Sequence, residues 1–330
     1  AEDRDRRPGI GHFPWPKAMN GKYDDIEIPT PRLSDPAIYA AHPEFFKQSN
    51  HRERFHWRWD TPEKYQQNMR AYFRMLTGID HVMDRVLKAL EQEGLAENTI
   101  IVYTSDHGEM VGEHGGWWKN TWHEASARVP FIVQTPAQRR GETQPNQINT
   151  PVSLADLFPT LCGMAGVAYP NDLYGMNLTE AINTGNEPDR GAVFCDTLND
   201  RWGQGTNFRM VRDGKYKYVA FGDAPEILIN VQDDPFEQHN RAPDAQGEDA
   251  DALAQLRAFV KQSIKLNNQD EWKQRDKQLK EKHPKPEAIM HAGLNHYELS
   301  DGRIIEHEHL LYKPHVVAPT AGTYIADAPK

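Results

Sequence analysis

The sequence predicts an α/β fold, a mainly parallel sheet flanked by helices, with a small antiparallel sheet and a packed helix appended toward the C-terminus. Three observations predict it. One amphipathic pattern runs unbroken from Thr61 to Gly94. Short β-branched runs then alternate with helical segments as far as residue 167, and strand-like runs joined by short turns follow from about 190. Alternation of strand and helix favours a parallel layer, whereas closely spaced strands favour antiparallel pairing.

Residues 1–60 are rich in Pro, His and Trp, as in "GHFPWP" and "HWRWDTP", and read as loops with short turns. Thr61-Pro62-Glu63 is a helix start, with Thr as N-cap and Pro in the first turn. Tyr65, Met69, Tyr72, Leu76, Ile79, Met83, Val86 and Leu90 then recur at spacings of four and three, one face of a helix of roughly eight turns. Gly94 stands where a left-handed C-cap is usual. "IIVYT" (100–104) is too short for a helix and reads as a buried strand, as does "VPFIVQTP". Thr150-Pro151 opens a further helix, "PVSLADLFPTLCGMAGV". Beyond 190, "AVFCDTL", "FRMVRDGKYKYVAFG" and "EILINVQ" read as strands, with a hairpin signal at Asp213-Gly214, and "DADALAQLRAFVKQSIKLN" reads as an amphipathic helix. These patterns divide the chain into 1–189 and a smaller subdomain, 190–330, whose last part (267–330) is charged, His-rich and without an assignable pattern.

The net charge of −10 argues against non-specific nucleic-acid binding, which needs a positive field. An anionic substrate must then meet a local positive group, a metal or a single lysine. Cys162 and Cys195 set no disulfide framework and read as two small buried thiols, with one bridge between them as the alternative. No apolar run approaches the ~18 residues of a membrane span. The start, "AEDRDRRPG", has neither Met nor an apolar signal core and reads like the inside of a longer protein.

The chemistry gathers after "IIVYTS". Ligands of open α/β sheets bind beyond the carboxyl ends of the strands, where Asp106 and His107 fall. A carboxylate beside an imidazole can ligate a divalent metal, and Gly108 lets the backbone turn sharply away. The bland alternative is that Asp106 caps a turn and His107 partners a loop. Lys119 follows in a stretch with Gly115, Gly116 and two tryptophans. It is either a solvated surface charge or a point charge suited to a tetrahedral sulfate or phosphate oxygen. Trp117, Trp118 and Trp122 either line a pocket for a sugar or aryl group or pack the loop.

"GIDHVMDRVLKALEQEGLAENTIIVYTSDHGEMVGEHGGWWKNTWHEASARVPFIV", followed by "TPVSLADLFPTLCGMAGV", "YGMNL" and "EILINVQDDPFEQHNRA", resembles the sulfatase family of the alkaline-phosphatase superfamily. The likeness covers about residues 12–241 in ordered blocks. It implies an alkaline-phosphatase-like fold and metal-dependent hydrolysis of a sulfate ester. It implies metal ligation by Asp106 and His107, and a contact of Lys119 with sulfate. His12, in "GHFPWPKAMNGKYDDIEIP", matches the family's leaving-group acid, a role an imidazole suits because its pKa lies near the working pH. His123 stands where the family often has Tyr, and His114 and His123 are candidates for supporting the metal ligands. Glu124 and Arg128 hold the loop together in this reading. The metal implied is Ca²⁺, although imidazole at His107 suits Mn²⁺ or Zn²⁺ better, and Mg²⁺ stays open. The partner implied is a sulfated small molecule or carbohydrate, and the location periplasmic or secreted.

Two of the family's parts are missing. Its nucleophile is a formylglycine made in a C/S-x-P-S-R motif, which neither Cys162 nor Cys195 fits. Its Asp-Asp metal pair is missing too, since "NGKY" precedes Asp24-Asp25 where an apolar strand is needed. The resemblance therefore points to a C-terminal portion of a sulfatase, without the nucleophile and inactive alone. Two rivals stay open, a phosphodiester or phosphonate monoester hydrolase of the same superfamily and a non-catalytic binding module. A further idea, metal binding by His307 and His309 in "IEHEHL", competes with a solvated edge strand.

Overall fold

The computed structural model describes residues 13–31, 35–49, 55–56, 59–197 and 207–263, and short pieces within 274–306. His12, His307 and His309 lie outside the described residues. Two short helices, α1 (Pro36–Ala40) and α2 (Glu44–Lys47), precede the long helix α3 (Pro62–Gln92). The chain forms two compact units, one of 1–29, 60–81 and 268–330, the other of 30–59 and 82–267.

The first unit is built on the N-terminal part of α3. Thr61 caps it as its composition suggests, Oγ1 accepting from the Lys64 amide at 3.3 Å. Tyr65 and Met69 of the predicted stripe are buried. Polar residues of the helix hold the loop 13–31: Gln66 accepts from the Ile28 amide at 3.0 Å, and Arg70 and Arg74 donate to the Tyr23 and Lys22 carbonyls at 3.0 and 2.8 Å. Arg74 also pairs with Asp24, so that carboxylate has a structural partner. A side chain at Gly78 would meet Pro16 at 2.9 Å, and only glycine permits this approach. The same unit holds a backbone ladder at 289–306, three short antiparallel strands where the sequence carries no pattern.

The second unit begins within α3, which closes at Gly94 (φ +67°) with Leu95 N–H donating to the Leu90 carbonyl at 2.9 Å. Strand β1 (Ile101–Thr104) follows, then α4 (Glu124–Ala127), β2 (Phe131–Gln134), α5 (Pro136–Arg139), α6 (Leu157–Ala165) and α7 (Thr179–Thr184). Both strands lie where the sequence places them, but against expectation none of their residues is buried, and they pair antiparallel, Ile101 opposite Gln134 and Thr104 opposite Phe131. The expected parallel neighbour needs a helical crossover. Residues 105–130 hold instead a glycine-rich loop and the single turn of α4, which return the chain alongside β1. The helix expected from Thr150-Pro151 starts later. Ser153 Oγ accepts from the Ala155 amide at 3.2 Å while Asp156 accepts from the Ser153 amide at 2.8 Å, a reciprocal cap on the 3-10 turn Leu154–Asp156 that leads into α6.

Strands β3 (Val193–Thr197), β4 (Phe208–Asp213), β5 (Tyr216–Phe221) and β6 (Ile227–Asn230) form an antiparallel meander in chain order. The hairpin signal is realised one residue along, at Gly214-Lys215, with Gly214 at φ +50°. Helix α8 (Glu248–Ser263) packs Leu253, Leu256 and Val260 on Val211, Tyr218 and Leu228 of one sheet face. The opposite face, with Phe208, Met210, Val219 and Phe221, receives Phe46 and Trp122. Every residue of β5 is buried because both faces are covered. Cys162 and Cys195 are unbridged as expected, but Cys162 is half-buried and Cys195 exposed, so neither is a core thiol.

Candidate active site

Asp106, His107 and Lys119 meet at one wall of an open cleft of about 1330 Å³ in the second unit. The first two follow β1 directly, and Lys119 is returned to them by the loop. His107 Nδ1 lies 2.7 Å from the Gly108 carbonyl. A carbonyl only accepts, so Nδ1 carries the proton and the lone pair sits on Nε2. Lys119 Nζ donates to that nitrogen at 2.6 Å, and its ammonium stands 4.9 Å from the centre of the Trp118 ring. The Asp106 side chain is 85% exposed, with Oδ2 3.5 Å from His107 Nε2. Two adjacent ligands held at about 2.0–2.2 Å around one ion stand about this far apart. One oxygen and one nitrogen at this spacing would fit part of a divalent-cation site, for which Nε2 would have to give up its hydrogen bond from Lys119.

The glycine after this pair serves a different purpose from the expected turn. Gly108 has no positive φ; its amide donates to the Ser126 carbonyl at 2.8 Å, and a Cβ would lie 2.1 Å from the Ala125 oxygen. The loop that follows is held in costly conformations, with Val111, His114, Trp118 and Asn120 all at positive φ. Glu109 Oε1 braces it by accepting from the Trp118 amide at 2.8 Å. Trp117 and Trp122 are buried, and Trp117, Trp118 and Trp122 are outside the cleft lining, so the tryptophans pack the loop.

The far end of the loop is fixed from β5. Lys217, fully buried, donates to the Trp122 carbonyl at 2.9 Å and to Glu237 at 2.7 Å, and also pairs with Glu124. Glu237 in turn accepts from the Glu124 amide at 2.6 Å. Burial opposes ionisation of Glu124, but the Lys217 ammonium and its hydrogen bond hold that carboxyl below the usual carboxylate range. Burial pushes Glu237 up despite the same lysine. Glu124 thus has the structural partner expected of it.

His114 and His123 are outside the cleft lining. Both are buried and stand together, ring centres 4.1 Å apart, beside His42. Burial, with His42 and Lys217 nearby, holds His114 neutral by pulling its pKa down to about 3. Sequence reasoning missed His42, Lys217 and Glu237. A signal existed only for Lys217, which shares strand parity with Val219 and Phe221 and so points into the core.

Comparison with known proteins gives two overlapping family matches. The model described as Sulfatase matches residues 31–167, and that described as N-sulphoglucosamine sulphohydrolase, C-terminal, matches 112–265. Arylsulfatase K of Bos taurus is 33% identical over 193 residues, covering 54% of this chain and 34% of that protein. The chain spans about a third of the length of the arylsulfatase K relatives it matches. BT4656, solved in complex with its substrate D-glucosamine-2-N,6-O-disulfate, superposes with a TM-score of 0.63 at 21% identity, over 81% of this chain and 64% of that one. A phosphonate monoester hydrolase from Silicibacter pomeroyi gives 0.61 at 24%, over 88% and 56%. At these identities both structures speak for the fold alone.

Proposed function

We propose that this chain, matched in overlapping parts by two sulfatase-type family models, is part of a sulfatase and that the protein hydrolyses sulfate esters with the help of a divalent metal, these residues forming one side of the active site. The convergence of Asp106, His107 and Lys119 on one cleft wall carries the reading. A cation held by Asp106 and His107 would supply Lewis-acid stabilisation of charge on a sulfate oxygen. Lys119 releases His107 and binds sulfate, opposing the negative charge that grows as the ester bond breaks. His12 protonates the leaving alcohol. His107 offers nitrogen, which favours Mn²⁺ or Zn²⁺ over Ca²⁺ and Mg²⁺. No C/S-x-P-S-R segment occurs in the sequence, so in this reading the formylglycine nucleophile and the remaining ligands come from outside these 330 residues.

A sulfated carbohydrate is the substrate class we favour. Asn146, Gln147 and Asn149 give the cleft an amide-bearing stretch suited to sugar hydroxyls, and a structural relative takes a sulfated glucosamine. A secreted or periplasmic enzyme would meet such polymers; among the described residues, no helix is long and apolar enough to cross a membrane. In this proposal residues 1–189 belong to the catalytic layer and 190–330 to the smaller subdomain.

The test is a comparison of aryl sulfate and aryl phosphodiester turnover by the protein carrying its nucleophile segment. Sulfate should be preferred, and Lys119→Ala should lower kcat/KM for it by about 10²-fold or more. Preference for the diester would install the phosphoester reading, and full sulfatase activity in Lys119→Ala would remove Lys119 from the mechanism.

A further inference from the structure

The histidine cluster behind the loop has geometry that ring packing alone leaves unexplained. His42 comes from the segment between α1 and α2, His114 from the strained loop, and His123 from the residue before α4. Their ring centres lie 5.5 Å (His42–His114), 5.8 Å (His42–His123) and 4.1 Å (His114–His123) apart. One ring nitrogen of each lies within 4.8 Å of those of the other two. Nitrogens bound to one tetrahedral ion at about 2.0–2.1 Å stand about 3.3 Å apart, so modest ring rotation closes the set.

Hydrogen bonding aims the rings. His42 Nε2 lies 3.1 Å from the His114 carbonyl, which can only accept, so the lone pair of His42 is on Nδ1. His123 Nδ1 is 2.6 Å from Thr121 Oγ1; with that nitrogen as donor, the lone pair is on Nε2. A ring anchored through one nitrogen and presenting the other is how metal-bound histidines are oriented. His114 Nδ1 is buried with no hydrogen-bond partner, and the residue is only 2% exposed. An orphaned buried nitrogen is costly, and a cation would satisfy it. The neutral state of His114 is the one that ligates.

Charge permits a cation here. Lys217 is the nearby positive group, but Glu124 and Glu237 both pair with it, so the three together do not oppose a second positive ion. Phe46 and Trp122 flank the cluster, with Trp122 stacked on His123 at 4.8 Å, and shield it on those sides. Three imidazoles without an oxygen donor select a borderline metal and discriminate against Ca²⁺ and Mg²⁺.

We propose that His42, His114 and His123 bind a transition-metal ion of the Zn²⁺ type, distinct from the Asp106–His107 pair, which ties the α1–α2 segment to the loop that carries Lys119. The proposal is independent of the sulfatase reading.

The full chain carrying Asp106→Asn and His107→Asn isolates the site. After chelator treatment, this variant should bind about one equivalent of Zn²⁺, show the visible absorption of tetrahedral Co²⁺, and melt at a higher temperature with Zn²⁺. Adding His42→Gln should weaken Zn²⁺ binding at least about tenfold and abolish the thermal shift. A second measurement needs no change at the histidines: Zn²⁺ should protect His42 from diethyl pyrocarbonate, read by mass spectrometry. Absence of binding in the double variant, unchanged binding after His42→Gln, or unchanged labelling of His42 with Zn²⁺ would each overturn the proposal.

Discussion

Glu187 shows how much a single side chain can be asked to do without being buried. Its carboxylate accepts from the Asn149 and Thr150 amides at 2.9 Å each, fixing one rim of the cleft. Those hydrogen bonds, from Asn149 first and Thr150 next, pull its pKa from 4.5 to about 2. The folded value is depressed, so the unfolded chain binds this proton more tightly. Its stabilising contribution is therefore complete above the ordinary carboxylate pKa and lost as the pH falls toward 2. A carboxyl ¹³C titration should place the midpoint near the lower value, and Glu187→Gln should flatten the acid limb of the stability curve. Gly108 makes a sharper demand. Gly108→Ala would drive a methyl into the Ala125 carbonyl and should cost about 3 kcal/mol in denaturant unfolding. At this scale Asp106, His107 and Lys119 were legible because one short stretch carries all three. His42 was not, because nothing in "AAHPEFF" distinguishes a ring that meets two others 72 and 81 residues away.

Among elements, the contact that matters most for the site joins β5 to the loop before α4. Replacing Lys217 by Met would leave Glu124 and Glu237 facing one another without their shared cation. The expected loss is about 3–5 kcal/mol, with hydrogen-exchange protection falling first across 119–124. If exchange there were unchanged, the lysine would not be the support described. Helix α3 and strands β1, β2 and β4–β6 were legible because each carries its own period or a β-branched and aromatic run. The direction of β2 was not, since pairing depends on how residues 105–130 travel, and a strained loop has no period to read. The start of α6 moved for a local reason: the reciprocal Ser153–Asp156 cap opens a 3-10 turn, Leu154–Asp156, and α6 begins only after it.

Over the molecule, apolar surface is spread unevenly. Ile79, Val82 and Val86 of α3, Ile132 of β2 and Phe158 of α6 are between 44% and 60% exposed. The stripe predicted on α3 is thus half realised: its first turns are buried and its later turns are open to solvent. Periodicity reports that a face is apolar, whereas burial needs a second layer to cover it. The isolated 330-residue chain should bind anilinonaphthalene sulfonate strongly and self-associate in size-exclusion chromatography as salt screens its charge of −10. A monodisperse, dye-silent monomer at high salt would show that those faces are covered in solution.

The buried lysine has a consequence in time as well as in space. The loop bearing Lys119 is closed at Trp122 and Glu124 by groups 95 and 113 residues further along the chain. During synthesis from the N-terminus, β1 and the Asp106–His107 pair emerge long before the residues that hold their neighbouring lysine in place. A ribosome-bound chain halted before Glu237 would carry Asp106, His107 and Lys119 without all the contacts that fix the loop at Trp122 and Glu124. Assembly of this cleft wall should therefore come late in folding, after the second sheet and the Glu237 segment beyond it are in place.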